Sequence, residues 1–181
     1  MPSLREFAGQ ELRWTRPHFF QSAYELRAGD EEVLATVRRV GTFKTYDVAV
    51  AEGQQWTFRR AGSFWKSWTA IYSGEVQEVN EQTQPVATYT RVRGGGRLTF
   101  SDGRSYNWTA VSRWRSIWAW TGLDGVPLLT MRTSKRLTIA PEAIDLPELP
   151  LLVLLAFHLM RIAEEQAAAA SAAAASAGAS L

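Results

Sequence analysis

The sequence predicts a mainly β protein: a closed antiparallel β-barrel of about twelve strands enclosing a central apolar C-terminal α-helix. Three observations point there. Residues 149–160 read Leu-Pro-Leu-Leu-Val-Leu-Leu-Ala-Phe-His-Leu-Met, with His158 the single polar side chain. A helix that is apolar on every face must be enclosed by protein or by lipid. Ahead of it, short runs with period-two alternation recur between glycine-containing turns, the mark of successive hairpins. The lengths also agree, since twelve helical residues span roughly 18 Å and five or six strand residues ~17–20 Å.

The chain of 181 residues suits a single domain with a sizeable core. Residues 1–9 are expected as a loose lead-in, 10–165 as the barrel with its helix, and 166–181 as an Ala/Ser-rich tail. In residues 10–16, Leu12 and Trp14 alternate with Glu11 and Arg13, and Pro17 ends the strand because its ring removes a ladder donor. Hairpins follow over 24–39, 46–60, 98–109 and 117–131, with Gly29, Gly53, Gly103 and Gly125 at their turns, where positive φ suits glycine. Residues 66–72, 75–79, 86–92 and 136–139 read as further strands. Tyr24, Leu26 and Ala28, and likewise Tyr46, Val48 and Val50, are expected to face inward, leaving Glu25, Arg27, Asp47 and Glu52 largely in water. Gly94, Gly95 and Gly96 read as a connecting loop. Pro141 and Pro147 place 140–148 in a connection to the helix, with Asp145 or Glu148 available to cap it and Pro147 or Pro150 tolerated in its first turn. Alanine favours helix, so the helix is expected to run on into the tail before fraying.

A bilayer is the weaker home for 149–160. A spanning helix needs ~20 apolar residues, and here Arg161, Glu164 and Glu165 intervene after about a dozen. Buried inside a barrel, ten or so large apolar side chains contribute on the order of 15–30 kcal/mol before entropy. No cysteine is present, so there is no disulfide framework, thiolate metal site or cysteine nucleophile. The first residues lack the charged start and apolar run of a secretory signal. A cytoplasmic protein without a transmembrane span, peripheral at the membrane at most, is the expectation.

Charge is uneven although the net is only +2. Residues 91–136 carry nine basic side chains against Asp102 and Asp124, a net of +7, while 1–90 sum to −1 and 137–181 to −4. The candidate ligand-binding set is therefore Arg91, Arg93, Arg97, Arg113, Arg115, Arg132, Lys135 and Arg136, facing an anionic partner. The plainer alternative, favoured on balance, is that Arg keeps outer strand faces soluble. Interleaved Arg113, Trp114, Arg115, Trp118 and Trp120, with Trp65, Lys66 and Trp68, suit stacking or a lipid interface, or else the filling of a wide barrel. Chemistry finds little support. His18 sits in a loop, His158 reads as a hydrogen-bonded core histidine, and no His/Asp/Glu cluster suggests a metal site or a nucleophile with its base. Neither a catalytic residue nor a cofactor is expected.

Residues Tyr46-Asp47-Val48-Ala49-Val50, Leu98-Thr99-Phe100-Ser101-Asp102-Gly103 and above all 149–157, in this order over residues 10–165, resemble the tubby C-terminal-like superfamily. That group includes tubby domains, phospholipid scramblases and LURP-one-related proteins. The resemblance implies a barrel around an apolar C-terminal helix and a non-enzymatic binding or scaffold role, in tubby proteins the holding of phosphoinositide headgroups. None of those headgroup-binding residues has a match here. The acylated cysteines, acidic calcium loop and separate membrane span of scramblases have none either, so lipid scrambling is not implied. The partners expected are an anionic phospholipid or phosphorylated ligand, or a protein docked on exposed Trp side chains. Nucleic acid is not expected.

Overall fold

The computed structural model describes residues 1–178 apart from 18–21, 30–31, 42–45, 64–65, 77, 79–82, 93, 113 and 115. Twelve strands follow one another: β1 (Glu11–Thr15), β2 (Ala23–Ala28), β3 (Glu32–Val40), β4 (Tyr46–Ala51), β5 (Gln54–Ser63), β6 (Lys66–Ser73), β7 (Ala87–Val92), β8 (Gly95–Phe100), β9 (Ser105–Ser112), β10 (Ile117–Thr121), β11 (Pro127–Arg132) and β12 (Arg136–Ile139). Each pairs antiparallel with its chain neighbour, and β1 pairs with β12, so the sheet closes with no free edge. A single long helix, α1 (Leu149–Gly178), runs through the barrel. Its first fourteen residues are buried, and from Ala163 to Ser176 it is half-buried or exposed as it leaves the sheet.

The alternation that marked the strands decides what fills the interior. Leu12, Trp14, Leu26, Val37, Phe58, Ile71, Leu98, Trp120, Leu129, Met131 and Leu137 are all buried and form one cluster with the apolar residues of α1. Trp14 stacks on Phe157 at 4.2 Å between ring centroids. Trp120 donates its indole N–H to the Leu152 carbonyl at 3.0 Å, so a large aromatic finds its one partner on the helix backbone. At the start of α1, Pro150 occupies the first turn, and the Glu148 carboxylate accepts from the Tyr106 hydroxyl at 3.0 Å and pairs with Arg104.

Antiparallel order puts the β1–β2, β3–β4, β5–β6, β7–β8, β9–β10 and β11–β12 connections at one end of the barrel, here called the mouth. The helix enters at the opposite end, the base, beside Tyr106 and Trp120, and leaves through the mouth. Turns at the base include those at Gly53 and Gly103, whose φ of +75° and +89° needs a residue without Cβ strain.

Four local expectations are corrected. Residues 1–9 are anchored: Leu4 is fully buried, and the Glu52 carboxylate accepts from the Leu4 amide at 2.6 Å and the Ser3 hydroxyl at 2.9 Å. Residues 75, 76 and 78 form no strand; the chain instead crosses the outside of the barrel, where Thr57 bonds the Gly74 carbonyl and Val76 amide and Arg59 bonds the Val76 carbonyl. Gly95 and Gly96 belong to β8, not to a loop. Finally, β4 is turned over. Asp47 faces inward with Ala49 and Ala51, while Tyr46, Val48 and Val50 face outward. Tyr46 and Val48 are still buried, Tyr46 beneath the Arg59 guanidinium and Val48 beside Thr57, both under the crossing segment. Tyr24 and Leu26 face inward as the alternation requires.

Candidate functional site

Charge gathers at the mouth, from strands that the sequence keeps far apart. Arg16 follows β1, Arg39 lies near the end of β3, Arg60 in β5, Arg91 near the end of β7 and Lys135 in the β11–β12 turn, around Arg161 of the emerging helix. Part of this charge is answered by the helix. Arg39 pairs with Glu165 at 2.9 Å, Lys135 with Glu164 at 3.6 Å, and Arg91 donates to the Gln166 carbonyl at 2.6 Å. Arg16 and Lys135 lie over the Tyr24 ring at 5.9 and 5.1 Å.

Below this rim lies a buried charged cluster. His158 Nδ1 is 2.5 Å from the Asp47 carboxylate, Arg161 bonds the same carboxylate oxygen, and Arg39 reaches the other at 3.4 Å. Burial alone would raise the Asp47 pKa. The bond from His158 and the charge of Arg161 override it and hold the carboxyl well below the usual range. His158 is fully enclosed, and burial pulls its pKa down. Its Nε2 is buried without a partner among the described residues and its ring lies 5.0 Å from Phe58, so it is neutral, with Nδ1–H donating to Asp47. These bonds tie the helix to the β4 side, and α1 lies closest to β3, β4 and β11.

On the far side the off-centre helix leaves a cleft of about 160 Å³ that opens at the mouth. Leu159, Met160 and Ile162 form its floor. Tyr89, Trp108 and Trp118 form its wall, with the two indoles stacked at 5.9 Å and Trp108 and Tyr89 both packed against Trp120. Arg60 and Arg91 stand at the opening. Burial pushes the Tyr89 hydroxyl pKa up, so it is a neutral group at physiological pH. Tyr89 can lie there because Gly96 has no side chain: a Cβ at Gly96 would overlap the Tyr89 ring. Gly96→Val is therefore expected to drive that ring out of place and to cost about 1–3 kcal/mol of stability, read as a lower urea midpoint.

The eight basic residues singled out by charge do not form one patch. Arg91 and Lys135 stand on the inner rim of the mouth. Arg132 and Arg136 lie on the outer wall near it, with Arg136 paired to Glu11 at 3.0 Å, and Arg97 lies on the outer wall bonded to Asn107 at 3.2 Å. Arg93, Arg113 and Arg115 are outside the described residues, as are His18 and Trp65. The sequence reading missed Arg16, Arg39, Arg60 and Arg161, which sit outside 91–136. The available signal was strand order, because in an antiparallel barrel every second connection returns to the same end.

Four exposed apolar side chains share that end, while Leu123 and Val126 are exposed in the β10–β11 turn at the base. Trp114, in the β9–β10 connection, is 97% exposed, and Val92, Val111 and Trp68 are exposed around it. No family model matches the chain, and no curated protein or solved structure was found similar to it. Among the described residues no group of three His, Asp or Glu side chains is placed to hold a metal ion, and no helix is long and apolar enough to cross a membrane.

Proposed function

We propose that this is a non-enzymatic binding domain that docks by its mouth on a surface bearing anionic phospholipid, as a peripheral protein. The observation that carries the reading is the exposure of Trp114, Val92 and Val111 at the end where Arg60, Arg91, Arg132 and Lys135 also project. Amphipathic aromatic rings rest at the headgroup level of a bilayer, and each basic residue near an anionic surface adds ~1 kcal/mol. The tubby-like resemblance supports the same role. Residues 167–178 of α1, which project from the mouth, carry no charge and so can enter the interface beside the loops.

Flotation with vesicles tests this. Binding is expected to anionic phosphatidylserine vesicles at about 0.05 M salt and to weaken at about 0.3 M, as screening shortens the reach of surface charge. Trp114→Ala and Arg132→Ala are each expected to weaken it by about fivefold. Absence of binding at both salt concentrations would end the proposal. Trp114 equally suits a protein partner; in that case capture of the partner persists in excess anionic vesicles while flotation fails.

A further inference from the structure

We propose that the cleft at the mouth is a binding site for one molecule of a soluble anionic amphiphile, with a carboxylate or phosphate head on a ring or a chain of about six to eight carbons. A cavity of ~150 Å³ lined by apolar side chains holds benzene, which sets the scale for a cleft of about 160 Å³. The site is sized for one short apolar group and not for a full acyl chain.

Two features fix the chemistry of the head. Among the described residues, Arg39, Arg161 and Lys135 each pair with a carboxylate, whereas Arg60 makes no ion pair and Arg91 bonds only the neutral Gln166 side chain. Both of these guanidinium groups stand at the cleft opening. Their planar donor forks suit a carboxylate or phosphate. A simple anion would leave the Leu159, Met160 and Trp118 surface wet, and a neutral apolar molecule would leave the guanidinium groups unanswered. Nor can the helix move across to fill the space, because His158 and Arg161 hold it to Asp47 on the opposite wall. The buried charged cluster thus keeps the cleft open.

The inference goes beyond docking on a surface and needs no bilayer. Isothermal titration of the full chain with monomeric octanoate and octyl phosphate is expected to give one site per chain. Octanol is expected to bind at least tenfold more weakly, octylammonium not to bind, and acetate or inorganic phosphate not to saturate. Arg60→Ala and Arg91→Ala are each expected to weaken octanoate about tenfold. Leu159→Trp, which fills the floor, is expected to abolish binding of every amphiphile with the thermal midpoint checked in parallel. Octanol binding as tightly as octanoate, inorganic phosphate binding as tightly as octyl phosphate, or no heat with either amphiphile would each overturn it. Trp114→Ala separates the two proposals: it is expected to weaken vesicle binding about fivefold and keep octanoate binding unchanged.

Discussion

A chain stopped before Asp145 is expected not to fold. The eleven apolar residues of α1 between Leu149 and Ile162, Pro150 aside, are each no more than 9% exposed. At ~1.5–3 kcal/mol for each large side chain, their burial is worth on the order of 15–30 kcal/mol before entropy. Domains have a net stability of only about 5–15 kcal/mol, so nothing else in this barrel makes up the difference. The sheet without α1 would present Leu12, Leu26, Val37, Phe58, Leu98 and Leu129 to water, and Trp120 would lose its bond to the Leu152 carbonyl. The expected product is insoluble or non-cooperative, by size exclusion and urea unfolding. A chain ended after Gln166 is the control. It removes only exposed turns of helix beyond the rim, and its urea midpoint is expected to match that of the full chain. A soluble, monomeric and cooperatively unfolding 1–144 fragment would show that the helix is not the core.

Legibility in the sequence followed the strength of the local pattern. The helix was plain because twelve residues with one polar side chain admit few environments. The hairpins were plain because alternation and turn glycines coincide, as at Gly53 and Gly103. What failed did so where neighbours outside the local segment decide. In β4 the sequence Tyr46-Asp47-Val48-Ala49-Val50-Ala51 offers two faces, and bulk suggested Tyr and Val inside. The helix leans against this very strand, so the inner face needs the small Ala49 and Ala51 and an acid to meet His158 and Arg161. The large residues go outside, where a crossing segment covers Tyr46 and Val48. Gly95 and Gly96 misled in the same way. They read as a flexible loop, yet in β8 the bare backbone at Gly96 makes room for Tyr89. A charge count along the chain likewise found Arg91 and Lys135 but passed over Arg60, because the mouth is assembled by strand order and not by sequence proximity.

Asp47→Ala is expected to cost about 3–5 kcal/mol, a large share of the total stability, because it leaves Arg161 buried without its carboxylate and His158 without an acceptor. The loss should appear as a lower urea midpoint at neutral pH. Replacing the whole cluster with Asp47→Leu, His158→Leu and Arg161→Met is expected to recover most of it, since apolar residues carry no desolvation cost. Titration gives a second signature. Asp47 is held below its unfolded pKa of about 3.9, and His158 below its unfolded value of about 6.5. In both cases the unfolded chain binds more protons, so each contribution is present above the unfolded pKa and is lost as pH falls. Stability is therefore expected to decline below pH ~6.5, by up to about 1.4 kcal/mol per unit while His158 stays neutral in the fold, and further below pH ~4 as Asp47 joins. His158→Phe should flatten the first part of that curve and leave the second, because Arg161 still holds Asp47. A wild-type urea midpoint unchanged between pH 7.5 and 5, or an Asp47→Ala loss below about 1 kcal/mol, would mean that the helix is held off-centre by packing alone.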